Sequence, residues 1–202
     1  MLGAMRVIAG EFRSRVLKAP GGMATRPTSD RLRETLANVL SPRMKGAHFL
    51  DLYAGSGAVG IEALSRGAAE VVFVERAAGA LAVLRANLEA LAIGPRARVR
   101  AASVGAFLAG AEDRFDVVFL DPPYEAAGEY ASTLGALGGV CAPLLSEGAV
   151  VVAEHRRKDS LEARYGDLVR VRLLEQGDAG LSFYSRQAEQ GLGIRPAFTT
   201  GA

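Results

Sequence analysis

A chain of 202 residues, half of them apolar, has the length and composition of one globular domain with a substantial core. Its net charge of +2 says little about partners, and no apolar run approaches the roughly 18 residues that a membrane helix needs. The single cysteine, Cys141, excludes an internal disulfide and is typical of the reducing cytoplasm, where we expect the protein to act. The N-terminus has no signal-peptide pattern, and one Cys with two separated His residues predicts no metal site.

Charge is distributed unequally along the chain. Residues 1–45 contain nine Lys or Arg residues against three acids, a net of +6. Residues 46–202 contain 15 against 19, a net of −4. A basic segment on a mildly acidic body is typical of a protein that binds phosphates with one region, although a merely solvated segment would have the same composition.

The N-terminal part of the chain predicts an extended arm followed by a helix. Residues 7–17 contain two short extended runs, and Gly10 permits a bend between them. We therefore predict a basic N-terminal β-hairpin or arm over residues 1–24. Apolar residues within 32–40 then recur at helical spacing, and Pro42 is expected to end that helix.

Strands alternate with helices through the rest of the chain. Five strand patterns are separated by four helical patterns, and two final strands are joined only by Gly-Asp-Ala-Gly. This order predicts an α/β, Rossmann-like fold with a seven-stranded, mostly parallel sheet, an antiparallel C-terminal strand pair and helices on both faces. We assign residues 25–186 to this domain and expect residues 187–202 to form a disordered tail.

The stretch FLDLYAGSGAVGIEAL passes from a strand through a glycine loop into a helix. Gly55, Gly57 and Gly60 match G-x-G-x-x-G in the strand-to-helix context that the motif requires. The amides at such a helix N-terminus suit a pyrophosphate or the carboxylate of an amino acid. The motif therefore leaves both a dinucleotide and S-adenosylmethionine open.

Two acids near this loop favour S-adenosylmethionine. Asp51 lies four residues before Gly55, where a carboxylate would repel a pyrophosphate but could hold an ammonium group. Glu75 ends the second strand, 20 residues after Gly55, where an acid can accept hydrogen bonds from both ribose hydroxyls of either cofactor.

The fourth strand ends in Asp121-Pro122-Pro123-Tyr124. Asp and Pro are ordinary turn residues, but ligands of open parallel sheets bind beyond the carboxyl ends of the strands, so this corner should face the same crevice as the glycine loop. The Asp121 side chain would then point at the reactive end of a cofactor bound there.

The sequence at this point resembles the class I S-adenosylmethionine-dependent methyltransferases. DPPY is similar to the [DNS]-PP-[YFW] motif of those that methylate nucleobase amines or glutamine amides. Such an amine is a poor nucleophile, and the motif implies that the Asp121 carboxylate and the Pro122 carbonyl accept both of its N–H bonds and aim its lone pair. Tyr124 would offer a ring for a base taken out of its stack. Together with MRVIAGEFRSRVLKAP, TRPTSDRLRETLANVL and DLYAGSGAVGIEALSRGAAEVVFVE, it resembles the RsmD family, which methylates a guanine N2 of small-subunit (16S) ribosomal RNA. The resemblance covers the chain from Met5 to about Arg186.

This resemblance implies an rRNA (guanine-N2)-methyltransferase with S-adenosyl-L-methionine as cofactor. The implied partner is 16S rRNA, the small ribosomal subunit or its assembly intermediate, and we expect a monomer without membrane contact. The implied catalytic residues are Asp121, Pro122, Pro123 and Tyr124. The implied cofactor-binding residues are Asp51, Tyr53, Ala54, Gly55, Ser56, Gly57, Glu75, Arg76, Ser103, Val104 and Asp121. The implied RNA-binding residues are Arg6, Arg13, Arg15, Lys18, Arg26, Arg31 and Arg33.

One position departs from the family pattern. Ser103 stands where relatives commonly have Asp or Asn to meet the adenine amine, so we expect the backbone of Val104 or Gly105 to make that contact. Three alternatives remain. An adenine-N6 or glutamine-amide methyltransferase shares the PPY motif, and a nicotinamide-dependent oxidoreductase would use the glycine motif but leave Asp51 and the DPPY corner without a role. A noncatalytic RNA-binding module would not need the second acidic site.

Overall fold

A computed structural model describes residues 5–19, 30–123 and 127–186. The described helices are α1 Asp30–Met44, α2 Ala58–Ser65, α3 Ala78–Ala90, α4 Val104–Gly110 and α5 Ala127–Leu137, with short 3₁₀ helices at Gly94–Arg96 and Ala142–Leu144. The strands are β1 His48–Leu52, β2 Glu70–Glu75, β3 Ala97–Ala101, β4 Phe115–Leu120, β5 Leu145–Arg156, β6 Arg164–Tyr165, β7 Leu168–Gln176 and β8 Ala179–Ser185.

The strands form one sheet in the order β3-β2-β1-β4-β5-β8-β7-β6. Strands β1 to β5 are parallel, and β8, β7 and β6 are antiparallel to their neighbours. The predicted Rossmann-like fold with its antiparallel C-terminal pair is therefore confirmed. The described sheet has eight strands rather than seven, because a two-residue edge strand, β6, pairs with β7 and is too short to give a sequence pattern.

Both faces of the sheet carry an apolar core, because alternate side chains of each buried strand point to opposite faces. On one face, Phe49, Phe73 and Phe119 pack in a cluster that also includes apolar residues of α1, α2, α3 and the N-terminal arm. On the other face, Leu50 and Leu120 pack with apolar residues of α4 and α5. The strand centres are thus shielded from water on both sides, which leaves the strand ends as the place for polar groups.

Helix α1 continues past Pro42, so the prediction that Pro42 ends this helix is wrong. A proline removes one backbone hydrogen bond and crowds the carbonyl of the residue four positions earlier. Here that residue is Asn38, which is exposed, and Pro42 itself is exposed in the last turn, so both groups lie at the surface, where solvent is accessible to the carbonyl. Among the helices of the described segments, none is long and apolar enough to span a membrane.

The N-terminal arm, residues 5–19, has the hydrogen bonding of a short irregular hairpin. Leu17 N donates to Met5 O (2.9 Å), and Val7 N donates to Arg15 O (3.0 Å). Only one bridge, Arg6 to Val16, has regular antiparallel geometry in this part of the chain. The predicted bend is therefore present in the arm, while the domain boundary at residue 24 and the tail over 187–202 lie outside the described residues.

Candidate active site

The crevice for a ligand lies where the strand order reverses. The chain leaves β1 toward β2 and β3 on one side, and returns to place β4 and β5 on the other side. Loops diverge at such a reversal and open a cleft beyond the carboxyl ends of the strands. Asp51 lies near the end of β1, Glu75 ends β2, and Asp121 follows β4, so the structure brings together the three acids that the sequence singled out.

The glycine loop between β1 and α2 is a tight turn that requires its glycines. Gly57 has φ of +80°, and a Cβ atom there would lie 2.3 Å from Leu84 Cδ1 of α3. Gly57 N donates to Ala54 O (2.7 Å), and Gly57 itself has no side chain to cap the start of α2, where the Gly60 amide is bonded to Asp51. The remaining amides at the N-terminus of this helix are directed at the crevice, as the motif predicts.

Glu75 holds this loop against the end of β2. Its Oε2 accepts a hydrogen bond from Gly55 N (2.9 Å), and its Oε1 accepts bonds from Arg76 N and Ala77 N (2.8 Å each). A carboxylate has about four lone-pair sites, so Oε2 keeps capacity for a further donor such as a ribose hydroxyl. The predicted cofactor residue Glu75 thus also shapes the loop, whereas Arg76 is exposed and contributes its backbone amide.

Asp51 is buried beneath the loop rather than lining its surface. The side chain is 2% exposed, and its Oδ2 accepts a hydrogen bond from Gly60 N (2.9 Å). Burial raises the pKa of Asp51 to about 7, against the lowering effect of the Gly60 amide and with a further raising effect from the charge of Glu75. Near neutral pH this carboxyl is therefore poised to ionise when a positive charge binds beside it.

We expect Asp51→Asn to flatten the pH dependence of stability. The pKa of Asp51 in the fold is above its ordinary value, so its contribution to stability is full below about pH 4 and is lost as the pH rises through about 7. An amide of the same shape keeps an acceptor for Gly60 N but has no charge to desolvate, so at pH 8 we expect a gain of about 1–3 kcal/mol. Urea unfolding of both proteins at pH 5 and pH 8 measures this, and an equal difference at the two pH values would contradict it.

Asp121 lies between other carboxyl groups at the crevice. Its pKa is raised well above the ordinary value by burial first, then by the charges of Glu154 at the end of β5 and of Asp51. Pro122 is buried and Pro123 is exposed. The predicted aromatic partner Tyr124 lies outside the described residues. Asp121 and Pro122 are therefore placed at the same crevice as the glycine loop, as the sequence predicts.

Tyr53, a predicted cofactor residue, connects the glycine loop to α5. Its backbone is left-handed, with φ of +61°. The Tyr53 hydroxyl donates to Glu129 Oε2 (2.7 Å) and lies 2.9 Å from Thr133 Oγ1, and burial is the largest cause that raises its pKa. Glu129 lies in the first turn of α5, directly after the corner that begins at Asp121. The Tyr53 hydroxyl thus positions the chain that follows the corner.

The Ser103 hydroxyl is used as a helix cap. Ser103 Oγ accepts a hydrogen bond from Ala106 N (3.3 Å) at the N-terminus of α4, and the side chain is exposed. Val104 is 5% exposed, so its side chain is not available to a ligand. This geometry agrees with the expectation that the backbone at 104–105, rather than a side chain, would meet the adenine amine. That contact stays a prediction.

Buried polar residues that the sequence analysis did not single out fix the arm to the domain. Glu62 of α2 is 3% exposed and accepts hydrogen bonds from Ile8 N (2.8 Å) and Ala9 N (3.1 Å), while Arg66 Nε donates to it at 2.7 Å. Ser65 Oγ accepts a hydrogen bond from Phe12 N (2.9 Å). The one signal in the sequence was an acid, Glu62, within an otherwise apolar helix, because acids are rarely buried unless they are paired.

Asn87 of α3 joins the arm to the glycine loop. Its Oδ1 accepts a hydrogen bond from Lys18 N (2.8 Å), and its Nδ2 donates to Lys18 O and to Ser56 O (3.0 Å each). Because the side chain is 2% exposed, these bonds are well shielded from water. The end of the arm is therefore fixed next to the loop that the cofactor would contact.

Four of the predicted RNA-binding residues lie on the arm and are exposed: Arg6, Arg13, Arg15 and Lys18. Arg31 at the start of α1 is also exposed, and Arg26 lies outside the described residues. Arg33 does not fit this prediction, because its side chain is 1% exposed and its Nη2 donates to Arg6 O (2.8 Å) and Asp30 Oδ1 (2.6 Å). Arg33 joins α1 to the arm, so it is not available to a phosphate.

Comparison with known proteins agrees with this geometry. A solved structure from Escherichia coli, named yhhF and described as a suspected methyltransferase, superposes with a TM-score of 0.78 at 35% identity over 93% of this chain and all of that one. A Bacillus subtilis protein, YlbH, with a suggested rRNA methyltransferase activity, is 38% identical over 91% of this chain and all of its own length. The E. coli ribosomal RNA small subunit methyltransferase D is 43% identical over 60% of this chain and 61% of its own.

The fold and the crevice define a methyltransferase with a Rossmann-like sheet. The model of the family described as conserved hypothetical protein 95, the RsmD family, matches residues 5–185. The chain belongs to this family, which confirms the resemblance found in the motifs.

Proposed function

We propose that this protein transfers a methyl group from S-adenosyl-L-methionine to the exocyclic N2 of a guanine in 16S ribosomal RNA. The observation that carries this proposal is the position of Asp121-Pro122 at the strand-order reversal, next to the glycine loop. Membership of a family in which relatives are named small subunit rRNA methyltransferases supports the substrate class. We place the reaction in the cytoplasm, where small subunits are assembled.

The residues of the crevice suit S-adenosylmethionine better than a dinucleotide. Asp51 and Asp121 are carboxyl groups of raised pKa that a positive sulfonium and ammonium would favour in their ionised form, whereas a pyrophosphate would be repelled. Glu75 would accept one hydrogen bond from a ribose hydroxyl, and the amides at the start of α2 would face the methionine end of the cofactor. When bound, the cofactor supplies an electrophilic methyl group.

Asp121 and Pro122 would hold the target amine. Each would accept one N–H of the amine, so the lone pair of nitrogen is directed at the methyl group, a contribution of positioning and electrostatics. The proton that the nitrogen loses would pass to the Asp121 carboxylate or to water. Tyr53 would keep the corner at its proper distance from the loop, because its hydroxyl is bound to the first turns of α5.

Methylation of small subunits purified from cells lacking this protein tests the proposal. The full chain and labelled S-adenosylmethionine are added, the RNA is digested, and its nucleosides are separated. We expect label in N2-methylguanosine at one position, and much slower labelling with Asp121→Ala. Label in N6-methyladenosine, or in protein glutamine, would show that the protein is a methyltransferase whose substrate is adenine or a glutamine amide rather than guanine. Binding of nicotinamide cofactors without binding of S-adenosylmethionine would overturn the proposal.

The arm would contribute the electrostatic part of RNA binding. We expect Arg13→Ala with Arg15→Ala to weaken binding of 16S rRNA and to lower the slope of log affinity against log salt by about 1.5, since about 0.7–0.9 of slope accompanies each phosphate contact. A matched control is Arg157→Ala with Lys158→Ala, two exposed cations after β5. An equal change of slope in both double variants would show that net charge matters rather than the arm.

A further inference from the structure

Glu154 lies next to Asp121 on the side away from the cofactor loop. Strands β4 and β5 are paired in parallel with Phe119 opposite Val152 and Leu120 opposite Ala153, so Asp121 and Glu154 follow in the same register. Phe119 and Val152 pack in the same core cluster, and the residues two positions later point to the same face. The charge of Glu154 accordingly raises the pKa of Asp121 more than the charge of Asp51 does.

The position of Glu154 is fixed by its surroundings. Its side chain is 3% exposed, and its backbone carbonyl accepts a hydrogen bond from Tyr130 Oη (2.9 Å) of α5. Asp51, Asp121 and Glu154 thus form a row of carboxyl groups, the acidic row, across the ends of β1, β4 and β5. An ionised Asp121 would be repelled by Glu154 and by Asp51, which disfavours its charged form.

A row of repelling carboxyl groups suits a ligand that carries a positive charge. Within the described segments, no group of three or more His, Cys, Asp and Glu side chains is arranged to hold a metal ion. The proposed cofactor has a sulfonium, whereas its product, S-adenosylhomocysteine, has a neutral thioether at the same place. The two molecules share every other group, including the ammonium and the ribose. A charge beside the sulfur therefore distinguishes them.

We propose that Glu154 is a positioning residue that acts through Asp121 to make the crevice prefer the sulfonium cofactor over its thioether product. This inference rests on the proposed function. With the sulfonium present, its charge offsets the repulsion between Glu154 and Asp121, and Asp121 ionises and can accept the N–H of the amine. After transfer, the sulfur is neutral, the amine has lost one proton, and the repulsion by Glu154 favours that proton on Asp121. The groups that face Asp121 in this cycle are Glu154 from β5 and Asp51 from β1.

Calorimetric binding of S-adenosylmethionine and S-adenosylhomocysteine to the full chain and to Glu154→Gln tests this role. Loss of the Glu154 charge should lower the affinity for the sulfonium about tenfold and that for the thioether less than twofold. A matched control is Glu70→Gln, the same change at the opposite end of β2, with both affinities expected to stay as in the unaltered protein. An unchanged ratio of the two affinities in Glu154→Gln would overturn the inference.

A second readout does not depend on that variant folding. In the unaltered protein, the affinity for the sulfonium relative to the thioether should rise from pH 5.5 to pH 8, because carboxyl groups of raised pKa release protons when the cation binds. Titrations in two buffers of different ionisation enthalpy count those protons, and a ratio independent of pH would also overturn the inference. Failure of the unaltered chain to bind either molecule would instead contradict the proposed function.

Discussion

Replacement of Asp121 by Ala is expected to lower the turnover of methyl transfer by at least about 10²–10³, because the amine loses a charged acceptor that matters most in the transition state. Cofactor affinity should change much less, since Glu75 and the glycine loop are untouched. The fold should not suffer. The pKa of Asp121 is raised in the fold, so its stabilising effect is present at low pH and lost as the pH rises through that raised value. At pH 8 the Ala variant should therefore be at least as stable as the unaltered protein.

Single-turnover methylation and thermal unfolding at pH 8 measure the two halves of this expectation. Asp121→Asn is the matched control, because it keeps an acceptor oxygen without the charge, and we expect its rate to lie between those of Asp and Ala. A rate for Asn as low as that for Ala would show that the charge, rather than the acceptor, matters. Full activity of the Ala variant would remove Asp121 from the mechanism.

Glu62→Ala is expected to destabilise the protein by about 3 kcal/mol, the largest loss of stability that we predict. The change leaves the amides of Ile8 and Ala9 without their acceptor and Arg66 without its carboxylate, all in a shielded position. The arm should then separate from α2, so RNA affinity should fall while cofactor affinity is largely kept.

Denaturant unfolding and amide hydrogen exchange test the role of Glu62. Exchange at residues 5–18 should accelerate in Glu62→Ala before exchange in the central strands does. Glu112→Ala, at an exposed glutamate before β4, is the control and should change stability by less than about 0.5 kcal/mol. Loss of stability without faster exchange in the arm would mean that Glu62 supports α2 rather than the arm.

The regular part of the fold was accessible from the sequence because it follows from short-range patterns. Apolar runs that alternate with helical periods predict buried parallel strands with helical crossovers, and β1 to β5 have this arrangement. Strand β6 has only two residues, which is below the length of any pattern. Pro42 was misjudged because the cost of a proline depends on the exposure of Asn38, a tertiary property.

A site residue could be predicted from the sequence where it lies at a fixed distance from a motif. It could not be predicted where only the pairing of distant strands brings it to the site. Glu75 follows from its distance to Gly55, and the structure places it on the loop. Glu154 lies at the end of a strand without a motif, and only the pairing of β4 with β5 brings it to Asp121. Arg33 was predicted to bind RNA because it is basic. Its position on α1 faces the protein interior, however, and the sequence alone does not show which face of the helix is buried.

The bonds that hold the arm also set when it can fold. Residues Ile8, Phe12 and Lys18 bond to side chains that follow them by 53 to 69 positions. At about 5–20 residues per second, the synthesis of that intervening chain takes roughly 3 to 14 seconds. The arm therefore leaves a translating ribosome before its bonding partners do, and it cannot reach its final place until they have been made. Until then, the cationic side chains of the arm are exposed close to ribosomal RNA, and its apolar residues have no completed core to pack against.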